Sequence, residues 1–134
     1  MARTNESGQS GATQKRVSKN LLYILPVGTL RLGFVGVHLL AQPDNAMRRP
    51  EREAQADAVR KAALKLRRKG CLPIVLGDFN DYDGAPEALD RQGSRPITRV
   101  LLILREMEPD SATDDLFSAA EFVPRRERYT ALWD

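Results

Sequence analysis

Three polar side chains sit at the ends of apolar runs and could do chemistry together. In CLPIVLGDFND, Cys71 to Asp81, a short apolar run passes through Gly77 into Asp78, with Asn80 two residues on. An aspartate at a strand end can hold a divalent cation or accept a proton from water. An asparagine cannot take up charge, but its amide can donate to an oxyanion that develops in a transition state. The same spacing also suits an Asx-type turn that merely ends a strand. His38 closes a second apolar run, GFVGVH. A lone histidine in such surroundings is either a hydrogen-bonded core group or a catalytic one. If the strands bearing His38 and Asp78 are neighbours, both side chains leave the sheet at the same edge, and the catalytic reading gains.

The elements that must position these groups follow from local pattern. NLLYILPVGTLRLGFVGVHLL carries two β-type runs, Leu21 to Leu25 and Leu30 to Leu39, joined by Pro26-Val27-Gly28-Thr29 as a hairpin turn. The second run is apolar on both faces near its end, which predicts a strand buried between layers. After a loop marked by Pro43-Asp44-Asn45, Pro50 fits a first helical turn, and Glu51 and Glu53 suit a helix N-terminus. Ala54, Ala58, Val59, Ala62, Ala63 and Leu66 then recur at helical spacing. Arg67, Arg68 and Lys69 suit the C-terminal end, and Gly70 suits the position just beyond it. This alanine-rich face should approach a sheet closely.

Leu72 to Leu76 follows as a strand, so strand, helix and strand form a βαβ-like unit, with an antiparallel arrangement as the alternative. Asp81 to Ser94 is a loop. Pro96 opens a helix over about Ile97 to Glu106, with Val100, Leu101, Leu104 and Met107 inward, and Pro109 ends it. ATDDLFSAAEF is a short helix or irregular segment, and RYTALW, Arg128 to Trp133, is a final strand. The polar residues 1–16 favour disorder, with an extended segment on a larger body as the second reading. At this length the remainder, residues 17–134, is read as one domain.

Composition bounds the function classes. The chain has 134 residues and a net charge of +3, too small by itself to imply nucleic acid. Basic residues do cluster at Arg48-Arg49, Arg67-Arg68-Lys69 and Arg125-Arg126 with Arg128, and solvated surface is the plain reading of each. One cysteine, Cys71, excludes an internal disulfide and a cysteine-based zinc site. One histidine excludes every site that needs two. No apolar segment approaches the roughly 20 residues of a membrane span, and the N-terminus lacks the apolar stretch of a secretory signal. The expectation is a cytoplasmic protein with no membrane partner.

Taken together, VGTLRLGFVGVHLLAQ, REAQADAVRKAA, LPIVLGDFND and the downstream RYT resemble the endonuclease/exonuclease/phosphatase superfamily, the DNase I-like group. The resemblance rests on His38-Leu39, on Arg52 with Gln55, and on Gly77-Asp78-Phe79-Asn80, in the family's order, and covers about residues 16 to 134. It implies an α/β fold, part of a two-sheet α/β sandwich, and here its central to C-terminal portion. It also implies Mg²⁺ (or Mn²⁺)-dependent hydrolysis of phosphate esters. Asp78 would orient the attacking water or a metal, Asn80 would stabilise the charged transition state, and His38 would act as acid/base or phosphate contact. Mg²⁺ commonly binds through one or two carboxylates, which suits this assignment.

The departures are as informative. The family's early metal-binding Glu and strand-end Asn have no counterpart, because Asn5 and Glu6 lie in the polar tail. The family's C-terminal Asp-His pair cannot exist in a chain whose single histidine is His38. The expectation is a domain cut at both ends, of low stability, weakly active or inactive alone, and associating through exposed sheet edges or completed by another chain. The substrate would be a phosphate ester: DNA, RNA, a sugar phosphate or a lipid head group. A second reading is a non-catalytic remnant that binds nucleic acid or a protein partner through its basic patches. A third, weaker one makes Asp78 a phosphoryl-accepting nucleophile.

Overall fold

The computed structural model describes residues 2–4, 7–10, 13–16, 20–81, 98–105 and 116–124. Within them the chain is mixed α/β. Three short strands come first: β1 Ala2–Thr4, β2 Ser7–Ser10 and β3 Thr13–Arg16. Then follow β4 Asn20–Val27, β5 Leu30–His38, α1 Arg49–Arg68, β6 Leu72–Asp78 and α2 Val100–Arg105. The main sheet has the order β1-β4-β5-β6, and β2 and β3 make a separate antiparallel pair. β1, β2 and β3 lie in the stretch whose composition favours disorder. They pair through backbone groups, which every residue type carries.

β4 and β5 form the expected hairpin, but its turn is shorter than the motif suggests. Only Gly28-Thr29 lies outside the strands, and Pro26 and Val27 pair with Arg31 and Leu30. Gly28 has φ +59° and Thr29 is not in the left-handed region, as a type II′ turn requires. Proline is tolerated because β1 reaches only Leu22, so β4 is an edge strand at Pro26. β5 and β6 pair in parallel, from Leu32↔Leu72 to His38↔Asp78, so the unit is βαβ and the antiparallel alternative falls away. β6 runs two residues further than the apolar pattern suggests, and carries Gly77 and Asp78 inside the pairing.

α1 ends in a Schellman motif. Gly70 at φ +73° donates its N–H to the Arg67 carbonyl at 2.8 Å, and Cys71 donates to the Leu66 carbonyl at 3.1 Å. This closure drops Cys71 and Leu66 onto Gly33, where a Cβ would lie 3.1 Å from the Cβ of each. Gly33 thus lets the end of α1 approach the sheet closely. The core between the two layers holds Val35, Val37, Leu39, Val59, Ala62, Ala63, Leu66 and Cys71. Val100 and Leu104 of α2 join it, as expected, while Leu101 is half-buried. Residues 119–122 form a 3-10 turn.

The other face of the sheet is a different environment. The expectation that β5 is buried between layers is not met, because its burial alternates, with Val35 and Val37 buried and Phe34 and Gly36 only partly so. Register and alternation put three rows of side chains on the uncovered face: Leu25-Leu32-Leu72, Tyr23-Phe34-Ile74 and Leu21-Gly36-Leu76. Leu72 is 53% exposed and Leu76 47%. Residues 82–97, 106–115 and 125–134 lie outside the described residues. With them go most of the Asp81 to Ser94 loop, the start of the Pro96 helix, Met107, the Arg125 cluster and the Arg128–Trp133 strand.

Candidate active site

The parallel pairing sets His38 directly opposite Asp78 at the C-terminal ends of β5 and β6. Both belong to the even-numbered set that faces away from α1, so they lie at the end of the uncovered apolar face. Their side chains are 79% and 62% exposed, and His38 Nε2 is 3.9 Å from Asp78 Oδ2. That is too long for a direct hydrogen bond, and it is ion-pair reach when the imidazole is protonated. The separation leaves Nε2 and Oδ2 able to share a third group. Of the two readings of His38, the core one is not met, because the layer over β5 covers only its odd-numbered residues.

Asp78 also plays a local part. Its Oδ1 accepts from the Asn80 N–H at 2.8 Å, an Asx-type contact two residues on. Asn80 is one of two described non-glycine residues with positive φ, at +48°. Its Nδ2 donates to the Leu39 carbonyl at 2.8 Å, while the Leu39 N–H donates to the Asp78 carbonyl at 2.9 Å. The two strand ends are therefore stitched together through Asn80 and Leu39. Phe79 between them is half-buried against the core, not fully enclosed.

Gly77 stays within the sheet. It pairs with Val37, at φ +135°, and a Cβ there would sit 2.0 Å from the Val37 carbonyl oxygen. The backbone passes so close to β5 that only glycine fits.

α1 supplies the support beneath. Arg52 is fully buried, and its Nη2 donates to the Asn80 carbonyl at 2.7 Å and to Asp81 Oδ2 at 3.0 Å. Thr98 donates its hydroxyl to the same Asp81 oxygen. Gln55 Oε1 accepts from the Leu40 N–H at 2.8 Å, which holds the segment after β5. Glu53 Oε1 accepts from the Arg99 N–H at 3.1 Å and from Arg49 Nε at 2.9 Å. Three successive polar positions of α1 thus bind the chain after β5, the chain after β6 and the approach to α2. The burial of Arg52 and Asp81 is not legible in the motif's spacing. The hint was an arginine on the helix side that the alanine face also occupies.

Among the described residues no three His, Cys, Asp or Glu side chains gather into a metal-binding cluster. Asp81 faces Arg52, which leaves Asp78 Oδ2 and His38 Nε2 as the pair that could meet a cation. One hard carboxylate oxygen fits the minimum that Mg²⁺ asks of a protein, with the remaining positions going to water and phosphate. Imidazole beside it suits Mn²⁺ better than Mg²⁺. Compared with protein-family models, with curated proteins and with solved structures, the chain finds no match. No described helix is long and apolar enough to cross a membrane.

Proposed function

We propose that this chain is a metal-dependent phosphoesterase domain of the endonuclease/exonuclease/phosphatase type, which hydrolyses phosphate ester bonds at the β5–β6 edge. The observation that carries the reading is the His38–Asp78 pair, 3.9 Å apart, exposed and in register at the ends of two parallel strands. Ligand chemistry in layered α/β proteins collects at such carboxyl ends. The uncovered rows of Leu, Ile, Tyr and Phe support the wider fold reading, a two-sheet α/β sandwich whose second layer covers that face.

In this reading Asp78 Oδ2 orients the attacking water and takes up its proton, with Oδ1 held by the Asn80 N–H. His38 Nε2 meets a phosphate oxygen or passes a proton to the leaving group. Asn80 gives one amide hydrogen to Leu39, and the other is the donor available to a charged phosphoryl oxygen. Mg²⁺ or Mn²⁺ held by Asp78 would neutralise phosphate charge and lower the pKa of bound water. The test is Mg²⁺-dependent hydrolysis of an aryl phosphodiester, with Asp78→Ala as control. Turnover that depends on both metal and Asp78 supports the assignment, and robust turnover independent of Asp78 refutes it.

A second reading, a non-catalytic domain that binds nucleic acid or a protein through basic side chains, draws on two observations. The Asx contact gives Asp78 a turn-forming task without any chemistry. Lys65, Arg68 and Lys69 lie exposed together at the far end of α1. Salt-dependent DNA binding without metal-dependent turnover is its signature.

A further inference from the structure

We infer that Arg52 is a positioning residue: from the layer beneath the sheet it holds Asn80 in its left-handed conformation and so fixes the Asp78 carboxylate opposite His38. The inference rests on the reading of Asp78 and Asn80 as site residues. Asn80 at φ +48° occupies backbone space that a residue with a Cβ enters only at a cost. Three bonds keep it there. Its N–H goes to Asp78 Oδ1, its Nδ2 to the Leu39 carbonyl, and its carbonyl accepts from Arg52 Nη2 at 2.7 Å. The first two join strand ends that would move together. Of these three, only the Arg52 bond runs to α1.

The energetics of Arg52 favour this role over plain stabilisation. Its guanidinium is 0% exposed, and Nε and Nη1 have no hydrogen-bond partner among the described residues. A buried cation with unmatched donors is a poor stabiliser even when paired. It also lies near the N-terminus of α1, where the helix dipole disfavours positive charge. Its bonds to the Asn80 carbonyl and to Asp81 fix where the two residues after Asp78 run. Released from Arg52, Asn80 relaxes toward ordinary backbone angles, its N–H swings off Oδ1, and Asp78 turns freely about χ1.

Arg52→Lys keeps the charge and loses the planar fork, and Arg52→Gln removes the charge. The measurement is residue-resolved amide exchange by NMR, read at Asn80 and, as a fold control, at Val35 and Val37. Asn80 exchange should rise roughly tenfold or more, the weight of one charge-assisted hydrogen bond, while the two core amides keep their protection. With an aryl phosphodiester, kcat should fall while KM stays within about twofold, the pattern of a displaced catalytic group. Unchanged Asn80 protection in a folded variant overturns the inference. Loss of Val35 and Val37 protection in both variants also overturns it, since Arg52 would then act on the whole fold. The exchange measurement decides the positioning role whether or not the wild-type chain turns the diester over, and a wild-type chain that neither turns it over nor binds Mn²⁺ at Asp78 fails the phosphoesterase reading.

Discussion

His38 and Asp78 face each other across a parallel strand pair, with Nε2 and Oδ2 3.9 Å apart on the side of the sheet that no described helix covers. One end of an apolar sheet face thus carries the chain's only imidazole beside a carboxylate. The same segment, Gly77 to Asp81, is tied to α1 by Arg52. The candidate site and the fold therefore share the same five residues, and substitutions nearby should separate the two.

Gly70 and Gly77 both hold positive φ, at +73° and +135°, but their surroundings differ. A Cβ at Gly70 meets nothing within 4 Å, whereas one at Gly77 meets the Val37 carbonyl oxygen at 2.0 Å. Gly70→Ala should cost about 1 kcal/mol, from backbone strain alone. Gly77→Ala should cost more than about 4 kcal/mol or prevent folding, because β5 and β6 must separate to admit it. Denaturant midpoints of the two variants check the difference. Equal losses would mean that the strand approach at Gly77 is not as tight as described.

Acid sensitivity should include a contribution from the surface of α1. Burial of the Asp57 carboxyl opposes ionisation, but hydrogen bonds from Lys61 and Arg60, and their charges, outweigh it and hold the pKa below the ordinary aspartate value. A depressed carboxyl pKa adds stability above the unfolded value of about 3.9, and that stability is lost as pH falls through the folded value. The group is partly solvated, so the contribution is about 0.5 kcal/mol. Asp57→Asn should be less stable than wild type near pH 7, and the gap should close below about pH 4. A gap that widens on acidification would mean that the folded state raises the Asp57 pKa instead.

The uncovered face should behave as exposed apolar surface. Leu76 is 47% exposed beside Gly36 and Leu21. Leu76→Lys should lower both the binding of a hydrophobic dye and concentration-dependent association, with the charged end reaching water. The loss of stability should stay near 1 kcal/mol, since little packing is removed. Unaltered dye binding would show that the face is already covered.

Much of this layout was legible in local pattern, and the limits were physical. The capping residues of α1, from Pro50 to Gly70, mark its ends because helix termini have their own chemistry. The hairpin is visible in Gly28, although Pro26 reads as turn when it is in fact strand, since an edge position spares proline its missing donor. The extension of β6 through Gly77 and Asp78 depends on the partner Val37, forty residues away in sequence, and no local signal carries it. Arg52 buries its charge because Asp81 arrives from the end of β6, a non-local pairing. The motif Gly77-Asp78-Phe79-Asn80 named the side chains at the edge, but whether they face a covered or open side depended on which layer α1 occupies.

Phosphoesterase chemistry at the His38–Asp78 edge requires that edge to receive a phosphate-linked divalent cation. Titrating the protein with Mn²⁺ in the presence of inorganic phosphate, and reading paramagnetic broadening of each amide signal, tests that without requiring turnover. The signals of His38, Leu39, Asp78, Phe79 and Asn80 should broaden first, and Asp78→Asn should abolish the effect. Broadening centred on Asp57 or on Glu51 and Glu53, or broadening at the edge that survives Asp78→Asn, would contradict it.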